Sequence, residues 1–283
     1  METKVSSQTK EVIISYERPT VIIGERINPT GRKKLTACLK EGDLEIVKKE
    51  ALQQVEAGAA ILDCNVNAQG VDDTKLLPEA MKIIMDTVDA PICIDSPNPD
   101  ALEAALKVYK GKALVNSVSG EKHSLERVLP LVKEYGAAVI GLTQDDDGIP
   151  KTAEKRVAVA YKICEAADKI GFPREDIIID VMTYAIGAEA KAGRDVITAL
   201  HTIRQELGLN MTMGASNISF GMPDRPVLNN AWVAMVIEAG GTALIADAAK
   251  VMPTVLSADL VLGRDRFARR YLEGHRKRQQ AEV

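Results

Sequence analysis

Histidine and aromatic residues are scarce in this sequence. Three of the 283 residues are histidines and 4% are aromatic, so aliphatic side chains must fill the core. His123, His201 and His275 all fall in segments with helical spacing. A zinc-dependent hydrolase holds its metal with several histidines that lie close together. The sequence therefore argues against that class of enzyme.

Positive charge is not in excess either. The formal net charge is −4, and the one basic cluster is GHRKRQQ at 274–280. This cluster lies in a C-terminal segment, 266–283, that we predict to be a basic helical tail. Proteins that bind nucleic acids usually carry a basic stripe or patch. We therefore expect no nucleic-acid partner.

Cysteines are few, and long apolar runs are missing. None of the four cysteines stands at C-x-x-C spacing, and Cys64 and Cys93 lie inside apolar runs. Free buried thiols are typical of a reducing compartment. No apolar stretch is long enough to cross a membrane, and the charged first residues do not resemble a signal peptide. We expect a cytoplasmic protein that does not associate with membranes.

Short aliphatic runs alternate with amphipathic segments along the chain. Continuous aliphatic runs are typical of parallel strands that are buried on both faces. Eight such strand–helix units predict an α/β fold, a single-domain (β/α)8 barrel over 21–265. The first twenty residues form an extension that packs across the barrel bottom or stays loose. The predicted strands are 21–27, 59–66, 91–96, 113–119, 137–143, 177–182, 211–219 and 243–247.

An open, doubly wound sheet is the alternative fold. Such sheets often bind dinucleotides through a G-x-G-x-x-G turn after the first strand. Here the first strand continues into GERINPTG at 24–31, which lacks that pattern.

Carboxylates and carboxamides end nearly every predicted strand. Barrel enzymes place their chemistry at these carboxyl ends. No lysine stands among them, which argues against a Schiff-base aldolase. A cavity of acceptors and amides suits a neutral, planar ligand that is rich in hydrogen-bonding groups. The strand-end residues are Glu25, Asn28, Asp63, Asn65, Asp95, Asn116, Thr143, Gln144, Asp180, Asn217 and Asp247.

A 2-amino-4-oxo pterin is a ligand of this kind. Its amino group and adjacent ring N–H form a two-donor edge that one carboxylate accepts, while asparagines serve the other ring atoms. Asp95, Asn116 and Asp180 could hold such a ring by its edges. Two alternatives stay open at this point. The same residues could cap helices and loops, or the carboxylates could bind Mg²⁺ through oxygen.

Several short motifs agree in order and spacing with a known family. They are IIGERIN (22–28), LDCNV (62–66), CIDS (93–96), VNS (115–117), GLT (141–143), GIP (148–150), IIID (177–180), GASNIS (214–219) and RPVLNN (225–230). Together they resemble the methyltetrahydrofolate:corrinoid protein methyltransferases, whose pterin-binding domain is a (β/α)8 barrel. The resemblance covers about residues 20 to 265.

The resemblance implies roles for individual residues. Asn217 matches the asparagine beside pterin N5 and is the implied catalytic residue. Arg225 would meet the folate tail or the corrinoid partner, unless it pairs with its neighbour Asp224. The implied pterin-binding residues are Asp95, Asn116, Asp180, Asn217, Gly214 and Ser216, with Glu25, Asn28, Asp63 and Asn65 as further candidates.

The resemblance also implies an activity. Members of the family move a methyl group between N5 of tetrahydrofolate and the cobalt of a corrinoid (cobalamin). They act in acetyl-CoA pathways or in the demethylation of amines and ethers. No Asp-x-His-x-x-Gly cobalamin motif is present, so the corrinoid is expected on a separate partner protein or free. A homodimer is also implied.

Dihydropteroate synthase, which binds a pterin on the same fold, is the nearest alternative. That enzyme uses cationic side chains after its seventh and eighth strands to bind a pyrophosphate leaving group. Here those strands end in ASNIS (215–219) and IADAAK (245–250), without the Ser-Arg-Lys and Arg-x-His patterns.

Overall fold

The computed structural model describes residues 1–281. The last two residues of the predicted tail, 282 and 283, lie outside the described residues. A two-stranded hairpin precedes the barrel and consists of β1 (Thr3–Ser6) and β2 (Glu11–Ile14).

Eight parallel strands form the barrel. Neighbours in the sheet follow chain order, and the last strand pairs with the first barrel strand. The strands are β3 (Val21–Ile27), β4 (Ile61–Cys64), β5 (Ile92–Asp95), β6 (Leu114–Ser119), β7 (Ala138–Leu142), β8 (Ile177–Asp180), β9 (Asn210–Thr212) and β10 (Ala243–Ala246).

Hydrogen bonds between β9 and β10 close the barrel. The amide of Thr242 donates to the carbonyl of Met211 at 3.0 Å, and that of Ile245 donates to Met213 at 3.0 Å. The predicted single-domain (β/α)8 barrel is confirmed.

Helices surround the barrel and follow its strands. An additional helix, α1, lies in the loop after β3, and a last helix, α10, packs against α9. The helices are α1 (Lys33–Glu41), α2 (Glu45–Glu56), α3 (Asp73–Thr87), α4 (Pro99–Val108), α5 (Lys122–Glu134), α6 (Ala153–Lys169), α7 (Ala192–Glu206), α8 (Arg225–Ala239), α9 (Ala248–Val261) and α10 (Arg269–Ala281). Within residues 1–281, no helix combines the length and hydrophobicity that a membrane crossing requires.

The strands are buried on both faces, as their aliphatic runs predict. In β8, Ile177 and Ile179 pack outward against the helices, whereas Ile178 belongs to a second cluster inside the barrel. Because side chains alternate along a strand, Asp180 shares the inward face of Ile178. The same alternation turns Glu25, Asp63, Asp95 and Asn116 inward at the carboxyl end.

The hairpin β1–β2 covers the amino-terminal end of the barrel. Val5, Val12 and Ile14 join the inner apolar cluster from below. The buried Asn210 of β9 anchors this packing by donating to the carbonyl of Ile14 and to the hydroxyl of Thr3, both at 2.9 Å. Of the two arrangements expected for the first twenty residues, the structure has the one packed across the barrel bottom.

The prediction for the seventh barrel strand was too long. The strand β9 ends at Thr212, and Asn217–Ser219 form a 3₁₀ turn instead of the strand end expected within 211–219. An isolated bridge between Gly214 and Ile245 is the last sheet contact of this segment. The turn follows because the chain must leave the barrel wall to reach α8.

Candidate functional site

A cavity of about 610 Å³ lies at the carboxyl ends of the barrel strands. Its volume is in the range of small-molecule sites, which is roughly 300–1,000 Å³. Residues from β3 to β6, from β10, and from the loops and helices that follow β3, β9 and β10 line it. The sequence-predicted residues among them are Glu25, Asn28, Asp63, Asp95, Asn116, Gly214, Ser216, Asn217 and Arg225.

Two carboxyl groups and two carboxamides form the inner wall. Asn28 donates to Asp95 at 3.3 Å, and Asn116 donates to Asp63 at 3.5 Å. Burial raises the pKa of Asp63 well above its usual range, and the neighbouring charge of Asp95 adds to this effect. Burial also raises the pKa of Asp95, to about 6. Because two buried carboxylates side by side repel each other, the pair retains one proton near neutral pH.

Glu25 faces the cavity and lies in a bulge of β3. The pairing of β3 with β4 shifts between Gly24 and Ile27, so β3 contains one extra residue there. Ser216 donates to a Glu25 carboxylate oxygen at 3.4 Å. Burial raises the pKa of Glu25, and the negative charge of Asp247 raises it further.

The glycine that precedes the 3₁₀ turn makes room for Asn217. A Cβ atom on Gly214 would lie 2.7 Å from Nδ2 of Asn217, closer than non-bonded atoms approach. The resemblance implied that Gly214 contacts the pterin. In the structure, the side chain that occupies this space is the Asn217 carboxamide itself.

Asp180 and Asn65 do not line the cavity. Asp180 is buried at the end of β8, and the amide of Met182 donates to it at 2.7 Å. Burial raises the pKa of Asp180 to about 7. Asn65 accepts from the amide of Asn67 at 2.8 Å and also contacts Asp95.

The loop after β8 starts beside Asp180 and bonds to two neighbouring segments. Met182 opens this loop with a φ of 48°, a left-handed conformation that is uncommon for methionine. Tyr184 donates to the carbonyl of Ile149 at 2.7 Å, and the amide of Ile186 donates to the carbonyl of Ile218 at 2.8 Å. The loop thereby connects the segments that follow β7 and β9.

Cationic side chains also line the cavity, which corrects the expectation of a site built from acceptors and amides. They are Arg26, Arg32, Arg225 and Lys250. Arg26 lies in the β3 bulge, Arg32 precedes α1, Arg225 begins α8 and Lys250 lies in the first turn of α9. The strand ends predicted no cations because these side chains come from the bulge, a loop and the helices.

Three of the cations are paired with carboxylates. Glu50 of α2 pairs with Arg32 and with Arg26, the latter at 3.4 Å. Asp247 pairs with Lys250 at 3.3 Å and with Arg26 at 3.9 Å, and Gln54 donates to it at 3.0 Å. Most of the positive charge is thus balanced within the wall.

The fourth cation, Arg225, stabilises the turn that carries Asn217. It donates to the carbonyl of Ser216 at 3.0 Å and to the hydroxyl of Ser219 at 2.9 Å. Its guanidinium group lies 4.8 Å from the ring centroid of Phe220. Among residues 1–281, the hydrogen bonds of the Arg225 guanidinium go to Ser216 and Ser219, and it forms no ion pair with Asp224 as the alternative expected.

Magnesium was the alternative ligand of the carboxylates. Among residues 1–281, no three histidine, cysteine or acidic side chains converge as a metal site requires.

Comparisons with known proteins identify the family. Residues 24–247 match the family of pterin binding enzymes. The methylcorrinoid:tetrahydrofolate methyltransferase of Eubacterium limosum is 31% identical over 265 residues, which cover 91% of this chain and 96% of that protein. The chain belongs to the methyltetrahydrofolate:corrinoid methyltransferase family.

More distant relatives share the same barrel. The methionine synthase of Mycobacterium tuberculosis is 30% identical over 265 residues, but the match covers 22% of that longer protein. The crystal structure of 7,8-dihydropteroate synthase from Vibrio fischeri superimposes with a TM-score of 0.70 at 18% identity, covering 93% of this chain and 99% of that chain. At this identity the last comparison shows a common fold only.

Several cavity residues of this methyltransferase were missed from the sequence. Phe220 is 53% exposed at the rim, and Asn229 and Asn230 enter from α8. Phe220 could have been found, since an aromatic residue beside a strand-end loop is unusual in a chain with three phenylalanines. The two asparagines lie within a helical pattern, and nothing in that pattern distinguishes them.

Proposed function

We propose that this enzyme transfers a methyl group between N5 of tetrahydrofolate and the cobalt of a corrinoid. The observation that carries this proposal is the meeting of Asp63, Asp95, Asn116 and Asn217 in one cavity of suitable size. The name and the length of the Eubacterium limosum relative support the same reaction.

The inner wall fits the edge of a pterin. The 2-amino group and ring N–H of the pterin donate to a carboxylate. A carboxyl group that shares a proton with a carboxylate also offers a donor to a ring nitrogen or carbonyl of the pterin. Asp95 with Asp63 supplies this pair, and Asn116 supplies a carboxamide beside it. We assign Asp180 to the far edge of the ring. Because Asp180 is buried and does not line the cavity, this contact requires the wall beside it to rearrange when folate binds.

Asn217 is the residue we assign to N5. The charge at N5 changes during methyl transfer, since a protonated amine is a much better leaving group than a neutral one. A carboxamide can donate with its nitrogen or accept with its oxygen, and so can serve both states. The contact with Gly214 and the bonds from Arg225 to the turn hold this carboxamide at the cavity wall.

Further parts of the proposal concern the setting of the reaction. The corrinoid is carried by a separate protein that docks over the open cavity, beside the exposed Phe220. The enzyme is a homodimer, works in the cytoplasm and serves the demethylation of methylated compounds. The four cysteines are all free, which supports the cytoplasmic assignment, and sedimentation velocity tests the dimer.

One anaerobic assay tests the reaction. The enzyme is incubated with methylcobalamin and tetrahydrofolate, and the cobalamin spectrum is followed while methyltetrahydrofolate is measured by chromatography. We expect methylcobalamin to disappear as methyltetrahydrofolate forms in equal amount. No turnover above a heat-inactivated control, in this direction or from methyltetrahydrofolate to cob(I)alamin, would refute the proposal. Formation of dihydropteroate from its pterin pyrophosphate and p-aminobenzoate would support the dihydropteroate synthase alternative.

A further inference from the structure

Glu25 has a setting that the pterin-binding role does not explain. It lines the cavity on the same side as the turn of Asn217, and its hydrogen bond comes from Ser216, the residue next to Asn217. Asp63 and Asp95 instead bond to Asn116 and Asn28 on the inner wall. Among the cavity carboxyl groups, Glu25 is therefore the one bonded to the Asn217 turn.

No cation neutralises Glu25 within ion-pair distance among residues 1–281. The nearby cations are directed elsewhere, since Arg26 pairs with Glu50 and Asp247, and Lys250 pairs with Asp247. The charged or polar groups that act on Glu25 come from β3, β4, the end of β10, α9 and the turn after β9, and they are Arg26, Asp63, Asp247, Lys250 and Ser216.

We propose that Glu25 exchanges the proton with N5 of the folate during methyl transfer. This inference rests on the function proposed above and adds the proton carrier to it. From methyltetrahydrofolate, Glu25 in its acid form protonates N5, and the cobalt(I) nucleophile takes the methyl group. The electron pair of the broken N5–C bond stays on nitrogen. In reverse, the N5 lone pair takes the methyl group, the electrons of the carbon–cobalt bond stay on cobalt, and Glu25 accepts the N5 proton.

The burial of Glu25 is consistent with a proton-carrying role. Because burial and the charge of Asp247 raise the pKa of Glu25, its carboxyl group retains a proton at higher pH than an exposed glutamate. General acids work best when their pKa lies near the working pH. Ser216 orients the carboxyl group, and Asn217 stabilises the N5 state that results.

The test compares Glu25→Gln with the wild-type enzyme over a range of pH in both directions. The wild-type rate from methyltetrahydrofolate should fall as pH rises through the Glu25 transition, and the reverse rate should rise through it. Glutamine cannot carry the proton. We therefore expect the pH dependence of the forward and the reverse rate to vanish and both rates to drop roughly 10²-fold. Calorimetry should give an unchanged Kd for methyltetrahydrofolate.

Glu121→Gln is the matched control. Glu121 also accepts from a serine, Ser119, at 2.8 Å, but it does not line the cavity. This variant should keep the wild-type rates and pH profile. Other buried carboxyl groups also titrate in this pH range, so the infrared difference spectra of the wild type and the variants are compared. The spectrum of Glu25→Gln should lack one protonated-carboxyl band that the wild type and Glu121→Gln both show.

Three outcomes would overturn the assignment. The first is a Glu25→Gln variant with the wild-type rate and pH profile. The second is a variant that loses rate only because its Kd rises, which would make Glu25 a binding residue. The third is a pH profile that persists in Glu25→Gln and vanishes in Asp95→Asn. If the wild-type enzyme shows no methyl transfer at all, the proposed function itself is wrong. An active wild-type enzyme with any of the three outcomes above would instead refute only the role of Glu25.

Discussion

Replacing Asp180 by asparagine should make the folate-free enzyme more stable at mildly alkaline pH. Asp180 is buried and accepts a hydrogen bond from the amide of Met182 at 2.7 Å, which an asparagine oxygen can also accept. Burial raises the Asp180 pKa from 3.8 to about 7. At alkaline pH the folded protein must therefore either hold a proton on Asp180 against the solvent or bury an ionised carboxylate, and both lower its stability.

The direction of the pH dependence follows from proton binding. Between pH 3.8 and about 7, Asp180 is protonated in the folded chain and ionised in the unfolded chain. The unfolded state then binds fewer protons, so the free energy of unfolding falls as pH rises through this window. The Asp180 shift corresponds to about 4 kcal/mol at higher pH, since each pKa unit is worth about 1.4 kcal/mol. Below the window the contribution vanishes.

Urea unfolding of wild type and Asp180→Asn at about pH 5 and about pH 8 measures this effect. The variant should gain stability relative to wild type mainly at the higher pH, while its affinity for methyltetrahydrofolate falls. Asp72→Asn is the control, because Asp72 is exposed and bonds with Thr74 and Lys75 lower its pKa. That variant should gain nothing at the higher pH.

The reasoning would be refuted if Asp180→Asn were less stable than wild type at both pH values. Asp180 would then stabilise the fold by anchoring the loop at Met182, and its burial would not destabilise the folate-free enzyme. A gain in stability with unchanged folate affinity would refute its assignment to the pterin.

Three further predictions concern the turn and the barrel base. Asn217→Ala should lower kcat/KM roughly 10²-fold, whereas Asp72→Ala should not; a near wild-type rate for Asn217→Ala would remove its role at N5. Gly214→Ala should lower kcat with little change in Tm, because the new Cβ would displace the carboxamide that lies 2.7 Å away. Asp259→Ala should lower the free energy of unfolding by about 3 kcal/mol or more, measured in urea, because it leaves the buried Thr20 and Arg270 without their acceptor and Arg264 without its ion-pair partner. An unchanged urea midpoint would contradict that expectation.

The strands of the barrel could be predicted because burial on both faces leaves a simple pattern. IIID at 177–180, for example, shows a continuous aliphatic run that ends in a carboxylate, and the structure has β8 at these residues. A strand that packs against apolar side chains on both faces of the barrel wall requires such a run, and this requirement does not depend on the rest of the sequence.

The site was predictable from the strand ends and from the motifs that match the family, and other parts of it were not. The bulge of β3 that contains the cavity residue Arg26 depends on the pairing of β3 with β4, which no local pattern reveals. The burial of Glu50 beside two arginines depends on how α2 packs. The fit of Asn217 over Gly214 depends on a distance across a turn. These features result from tertiary contacts, so periodicity and composition carry no trace of them.

The hairpin at the base of the barrel has a consequence for the order of events. Since Val5, Val12 and Ile14 fill the amino-terminal end, the cavity of residues 1–281 is open at the opposite end. A folate on the inner wall then lies beneath the corrinoid that reacts with it. If the corrinoid is carried by a separate protein, as proposed above, the folate binds before that protein docks and leaves only after it has departed, so undocking sets the moment of product release.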